Sequence, residues 1–281
     1  MNSMVIYTDL DGSLLDHYSY SHAAADALLK ELETLDIPVI PASSKTRAEL
    51  LELRRELHNQ HPFIVENGAA VLVPVNYFPA QPPETESLDG YWVKTFSLPR
   101  SHWRRRIDAI AADFPGEFNN FASLDIDSII SLTGLDPAAA ERAAKREYGE
   151  PVHWLGSDSS RLRFIKVLEE SGARILQGGR FLHVSGNCDK GRALQWLNAR
   201  YAEQAAAGRP LSLAIGDSQN DAAMLEAADR ALIVRSPVHP PPTLSRSAHI
   251  LLSDACGPAG WNQGVRQILQ SLEEPKGTGY G

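Results

Sequence analysis

The sequence predicts an α/β protein: a doubly wound, parallel-sheet (Rossmann-like) core with an inserted α+β cap domain. Short apolar segments alternate with helical patterns at both ends of the chain, and acidic turns follow two of those segments. Between the two halves, roughly a hundred residues follow a different succession of strands and helices.

The elements follow in order. Met4-Val5-Ile6-Tyr7-Thr8 reads as a buried strand, broken by Asp9-Leu10-Asp11-Gly12, where glycine permits a turn that a β-branched residue resists. A helix over residues 23–33 comes next, then the apolar strand 37–42, the polar run Ser43-Ser44-Lys45-Thr46, and a helix to about residue 58. Phe63-Ile64-Val65, the turn signal Glu66-Asn67-Gly68 and the apolar run 69–73 fit a hairpin. Residues 76–89 are rich in Pro and Glu without apolar periodicity and read as a linker. Beyond it the pattern predicts a strand near 91–96, helices near 101–113, 125–132 and 137–146, and a strand near 152–155. A helix over 158–171 and two strands, 173–177 and 180–185, close this part.

Alternation returns after Gly186. A helix over 189–206 precedes the apolar strand Leu211-Ser212-Leu213-Ala214-Ile215, which Gly216-Asp217-Ser218 breaks before a helix through residue 228. Strands near 231–234 and 250–252, a proline-rich loop over 237–242 and a helix over 257–272 complete the pattern, with residues 273–281 expected to be disordered. The core is therefore expected over residues 1–85 and 187–281, and the cap over 86–186.

Composition narrows the class. The chain has 281 residues, 43% of them apolar and 22% charged, enough to bury a core unaided. No apolar run approaches the roughly 20 residues that cross a bilayer, and the start lacks a secretory pattern. Cys188 and Cys256 are the only cysteines, too few for a disulfide scaffold or a thiolate zinc site, and are expected to be packing thiols; the expected compartment is the cytoplasm. With 27 Lys and Arg against 35 Asp and Glu, the net charge of −8 argues against nucleic acid as a partner. A small phosphate compound remains open, because one metal ion and a few placed cations dominate a local field.

Asp9, Asp11 and Asp217 put three carboxylates on turns leaving two strands of one expected sheet, at the edge where ligands collect. Such oxygens suit a hard divalent cation such as magnesium; without a cation they repel. Lys190 opens a helix after an apolar strand, and Ser43 ends the second strand. With backbone N–H groups around Leu10, Asp11 and Ser44, they can cradle phosphate oxygens. Each residue taken alone also has an ordinary structural explanation: aspartates form turns and N-caps, a first-turn lysine is usually solvated, and Ser-Ser-Lys-Thr is common capping material.

Taken together and in order, four motifs resemble those of the haloacid dehalogenase superfamily of phosphatases. They are Asp9-Leu10-Asp11-Gly12-Ser13, the hydroxyl of Ser43 after the second strand, Lys190 before a helix, and Gly216-Asp217-Ser218-Gln219-Asn220-Asp221. The insertion between the second and third resembles the α+β cap of the superfamily's sugar-phosphate branch. A finer resemblance is to the mannosyl-3-phosphoglycerate phosphatase family. It rests on Ser43-Ser44-Lys45-Thr46-Arg47, Glu66-Asn67-Gly68-Ala69, Leu132-Thr133-Gly134-Leu135, Lys145-Arg146-Glu147-Tyr148, Gly178-Gly179-Arg180-Phe181 with His183, and Gly257-Pro258-Ala259-Gly260-Trp261. Gly149 departs from it, standing where a polar or acidic residue is expected.

The resemblance implies a magnesium-dependent phosphatase that converts mannosyl-3-phosphoglycerate to mannosylglycerate, a compatible solute, and phosphate. Asp9 would be the nucleophile and Asp11 the general acid and base; Ser43 and Lys190 would bind phosphoryl oxygens. Magnesium would be held by Asp9, the Asp11 main-chain carbonyl and Asp217, with Asn220 and Asp221 orienting these groups. Lys45, Asn67, Arg180 and His183 are the candidates for reading the sugar and glycerate, Arg180 and His183 pointing to opposite faces if both lie on one strand. Arg142, Lys145 and Arg146 at a helix end are expected to be solvated. The implied partner is a small sugar-phosphate; the oligomeric state is left open. Glucosyl-3-phosphoglycerate or a disaccharide phosphate is the alternative substrate, and a phospho-accepting signalling domain the remote alternative, disfavoured by the insertion.

Overall fold

The computed structural model describes residues 4–177, 181–205 and 208–273. In chain order these form β1 (Met4–Thr8), α1 (Asp26–Thr34), β2 (Val39–Pro41), α2 (Arg47–Glu56), β3 (Phe63–Val65), β4 (Ala70–Pro74), β5 (Glu86–Leu88) and β6 (Tyr91–Thr95). There follow α3 (Arg100–Ile110), β7 (Phe118–Asn120), α4 (Ile126–Thr133), α5 (Pro137–Ala144), β8 (Glu150–Trp154), α6 (Asp158–Glu170), β9 (Arg174–Gln177) and β10 (Leu182–Ser185). The last are α7 (Lys190–Gln204), β11 (Leu211–Gly216), α8 (Ala222–Ala227), β12 (Arg230–Arg235), β13 (Ile250–Cys256) and α9 (Gly257–Glu273).

The chain divides into two compact units. One joins the chain up to Pro41 with the chain from Leu194 onward; the other is Ala42–Ala193. In the first, β13-β12-β11-β1-β2 form a parallel sheet. Every residue of β1 is buried, as expected of a strand covered on both faces, and α8 packs on β11 and β12 while α9 packs on β12 and β13. Arg266 of α9 pairs with Glu31 of α1 at 2.8 Å.

The second unit holds two antiparallel sheets, β3-β4-β6-β5 and β7-β8-β10-β9. Trp103 and Ile107 of α3 and Phe164 and Leu168 of α6 bury one face of the latter through Val152, Leu182 and Val184. α4 and α5, N-capped by Asp125 and Asp136, pack through Ile129 and Ala140 against Phe121.

Two strands were not legible in the sequence. The expected linker 76–89 ends in β5, an exposed edge strand paired with β6, and β7 is a three-residue Phe-Asn-Asn strand paired with β8. Neither carries an apolar alternation: β5 buries no face, and β7, with one apolar residue in three, is too short to show a period. The expected disorder over 273–281 concerns residues that, from 274 on, lie outside those described. No described helix is long and apolar enough to cross a membrane. Cys188 is buried, with its thiol pushed up by that burial; Cys256 is exposed, so only the first fits the expected packing role.

Asp229, before β12, ties that strand to its neighbour. It accepts both Arg209 guanidinium nitrogens, at 2.7 and 2.6 Å, and the Ser212 amide and hydroxyl, both at 2.8 Å. The Arg209 hydrogen bonds first, then those of Ser212, hold this carboxyl well below the usual carboxylate range against the opposing effect of burial. A depressed folded-state pKa stabilises above the unfolded value of about 3.9 and loses that contribution as pH falls below it. Because solvent screens this partly exposed pair, Asp229→Asn should cost only about 0.5–1 kcal/mol at neutral pH. In urea unfolding, its difference from wild type should shrink steadily below about pH 4; a difference independent of pH would rule out the ionised carboxylate as its source.

Candidate active site

β1 and β11 are neighbours in parallel register with Thr8 opposite Ile215, so Asp9 and Asp217 leave the sheet at the same carboxyl edge. The Asp9 amide donates to the Ile215 carbonyl at 2.8 Å. One oxygen from each of Asp9, Asp217 and Asp221 lies within 4.8 Å of the other two, and all three residues are buried, at 5%, 3% and 0% exposure.

Local hydrogen bonds hold this arrangement. Asp221 Oδ2 accepts the amides of Asp217 and Ser218 at 3.1 and 3.2 Å, which fixes the turn after β11. Asn220 Oδ1 accepts the Ser218 hydroxyl at 2.6 Å. Behind Asp9, the fully buried Trp261 donates from Nε1 to Thr8 Oγ1 at 3.0 Å, and Thr8 Oγ1 donates to the Asp9 carbonyl at 2.7 Å. Gly12 has φ +88°, and a Cβ there would sit 2.5 Å from Asp217 Oδ2. Glycine is thus required both by the backbone and by the carboxylate against it.

Buried carboxylate oxygens this close repel one another, and a cation among them offsets that repulsion. An all-oxygen, anionic and partly pre-organised donor set fits a hard divalent ion. Asp11, on the loop between Gly12 and β1, is half-buried and is not one of the three clustered carboxylates. Asp221, expected only to orient its neighbours, both does so and joins the cluster. Its Ser218-x-x-Asp221 spacing was the available signal, since Ser218 and Asp221 form a capping box.

The remaining expected residues belong to the second unit. Ser43 is buried, its amide bonded to the Ile64 carbonyl at 3.1 Å and its Oγ accepting the Lys45 amide at 3.2 Å. Lys190, at the first position of α7, is fully buried rather than solvated. Asp189 caps that helix through the Arg192 amide at 2.8 Å and pairs with Arg174 at 3.0 Å. Lys45 is half-buried. Asn67 is buried in the left-handed region (φ 60°), with its Oδ1 lacking a hydrogen-bond partner.

Glu66, Asn67 and Gly68 all have positive φ, 46°, 60° and 89°. A Cβ on Gly68 would lie 2.2 Å from the Asp189 carbonyl oxygen and 2.7 Å from the Lys190 amide nitrogen. This turn therefore seats directly on the peptide that begins the Lys190 helix. His183, on β10, is half-buried, and burial first, then the Arg146 charge, pushes its pKa down to about 3, so it is neutral near pH 7. Arg180 lies outside the described residues.

Arg146 departs from the expectation of a solvated helix end. Its side chain is buried, with Nε 3.4 Å from Glu66 Oε2 and Nη2 donating to the Ser44 carbonyl at 3.0 Å. Glu66 was read only as part of a turn signal, yet it accepts the amides of Glu147, Tyr148 and Gly149 at 2.7, 3.3 and 2.8 Å. The unusual Gly149 fits here, since an acidic residue would bring a second carboxylate beside Glu66, whose Oε2 lies 3.4 Å from a Cβ built at 149.

The chain is similar to known proteins along nearly its whole length. A family profile described as haloacid dehalogenase-like hydrolase matches residues 6–80, and one described as sucrose-6F-phosphate phosphohydrolase matches residues 169–251. A curated glucosyl-3-phosphoglycerate/mannosyl-3-phosphoglycerate phosphatase of Methanococcoides burtonii is 33% identical over 268 residues, covering 94% of this chain and 97% of its own. Its namesake from Persephonella marina is 32% identical over 278 residues, covering 96% and 98%. Among solved structures, a haloalkanoate-superfamily phosphatase of Bacteroides thetaiotaomicron shares the fold with a TM-score of 0.65 at 16% identity, covering 96% of this chain and 95% of that one.

Gly68→Ala should destabilise the protein by at least about 2 kcal/mol, because left-handed backbone strain adds to an overlap with main-chain atoms that cannot swing aside. Thermal unfolding checks this; a melting temperature equal to wild type would mean that the turn does not seat against the Asp189–Lys190 peptide.

Proposed function

We propose that this chain, which belongs to the glucosyl-3-phosphoglycerate/mannosyl-3-phosphoglycerate phosphatase family of haloacid dehalogenase-like hydrolases, releases phosphate from mannosyl-3-phosphoglycerate and its glucosyl counterpart. The observation that carries the reading is the buried cluster of Asp9, Asp217 and Asp221 at the carboxyl ends of adjacent parallel strands. The two curated relatives, matched along nearly the whole chain, support the substrate class.

A phosphate monoester is strongly anionic near neutral pH, so a carboxylate attacks it only where that charge is offset. The carboxylates of Asp9 and Asp217, with the Asp11 main-chain carbonyl and Asp221, would hold magnesium, whose Lewis acidity would supply that offset. An Asp9 oxygen bonds to phosphorus as the ester P–O bond breaks, and Asp11 gives its proton to the departing alkoxide. Water then bonds to phosphorus, losing a proton to Asp11, and the bond to Asp9 breaks to restore the carboxylate and free phosphate. Ser43 and Lys190 bind the phosphoryl oxygens, and Asn220 keeps the turn after β11 in place.

Residues 86–186 serve as the cap that reads the rest of the substrate through Arg180 and His183, while Lys45 and Asn67, on core loops, contact the leaving group. A neutral His183 donates and accepts hydrogen bonds with sugar hydroxyls and leaves the glycerate carboxylate to cations.

Phosphate release from a panel of phosphate esters tests this reading. Turnover should be greatest on the two glycosyl-3-phosphoglycerates, cease on chelation and return with magnesium. Asp9→Asn should lower it by roughly a thousandfold or more with the fold intact by circular dichroism. Preferred hydrolysis of a different ester would move the substrate assignment, and appreciable turnover by Asp9→Asn would remove the nucleophile.

A further inference from the structure

Three successive carbonyls of the loop that carries Ser43 are each held by a different donor. The Ser43 carbonyl accepts the Asn67 amide at 2.8 Å and the Lys45 carbonyl the Glu66 amide at 3.0 Å. Between them, the Ser44 carbonyl accepts Arg146 Nη2 at 3.0 Å. Two of the three donors are main-chain groups of the left-handed turn; the third is a side chain from about a hundred residues further along.

Arg146 is itself held. Its Nε faces Glu66, whose carboxylate also takes the three amides that follow Arg146. Thr46 Oγ1 lies 2.9 Å from the Arg142 carbonyl, and Arg47 pairs with Glu147 at 3.1 Å. On the other side of the segment, Arg100 pairs with the fully buried Glu150 and donates to the Ala144 carbonyl at 3.0 Å. A basic residue merely complementing a helix end needs none of these contacts. A planar guanidinium spans the ion pair with Glu66 and the bond to the Ser44 carbonyl in a fixed fork, a geometry that the compact charge of an ammonium does not reproduce.

We propose that Arg146 is a positioning residue for phosphoryl transfer. Through the Ser44 carbonyl it fixes the loop that presents the Ser43 hydroxyl, and so links the inserted region to phosphate binding. This rests on the reading of Ser43 as a phosphoryl ligand. Because a ligand loosened by even an ångström loses much of its value in the transition state, the expected loss is about 10- to 100-fold.

The test is a double-mutant cycle on the full chain with magnesium, using Arg146→Ala, Ser43→Ala and both together. Each is assayed on mannosyl-3-phosphoglycerate and on p-nitrophenyl phosphate, which lacks sugar and glycerate. Inorganic phosphate binding, measured by calorimetry, gives a readout free of turnover. Arg146→Ala should lower kcat/KM on both substrates by a similar factor, weaken phosphate binding, and cost less than about threefold when Ser43 is already alanine. Arg146→Lys should not restore activity. Should Arg146→Ala fail to fold, Glu66→Gln, which weakens the pair without leaving a cavity, should give a smaller loss of the same kind.

A loss confined to the sugar substrate would make Arg146 a direct substrate contact and overturn the proposal. So would fully multiplicative losses in the double variant, or a lowered melting temperature with unchanged kinetics. Wild-type activity in Ser43→Ala would instead remove the reading of Ser43, and the proposal with it.

Discussion

A turn of three residues in left-handed backbone conformation constrains the whole second unit. Glu66, Asn67 and Gly68 all have positive φ, a costly run for two residues that carry side chains. Its compensation is visible in every direction: two amides hold the Ser43–Lys45 loop, Gly68 seats on the peptide preceding Lys190, and the Glu66 carboxylate gathers three amides of the 147–149 segment. Ser43 and Lys190 are thus positioned by one short structure although nearly 150 residues separate them. Charge is handled consistently there, since the buried Glu66 has both hydrogen-bond donors and the Arg146 guanidinium, as a buried carboxylate requires.

The first unit solves a different problem, the concentration of negative charge. Parallel pairing of β1 with β11 places Asp9 and Asp217 side by side for no reason other than register, and the turn after β11 folds Asp221 back upon them. Repulsion among the three carboxylates is the energetic cost of the site. The surrounding frame withstands it because β1 is wholly buried, Trp261 braces Thr8 and Asp9 from behind, and Gly12 leaves space for the Asp217 carboxylate. That cost becomes useful when a divalent ion binds, because donors already gathered need little rearrangement.

The parallel core, the inserted region and the acidic turns at the strand ends were legible in the sequence because each depends on local pattern. Apolar runs such as Met4–Thr8 and Leu211–Gly216 announce buried strands, and an aspartate with glycine directly after a strand announces a site at its end. The edge strands Glu86–Leu88 and Phe118–Asn120 were not legible, since the first buries no side chain and the second is too short to show a period. Nor were the roles of Glu66 and Arg146. Each looks ordinary among its sequence neighbours, one in a turn and the other at a helix end, and each acquires meaning only from the other.

By itself, then, the sequence determined the α/β class, the acidic turns at the strand ends, and the order of motifs that identifies a phosphatase family. Only the tertiary structure decided that Asp221 joins Asp9 and Asp217, that Lys190 is buried, and that Arg146 grips the Ser44 carbonyl. Strand-forming pattern and turn chemistry are set within a few residues, whereas burial and ion pairing depend on which distant segments the fold brings into contact.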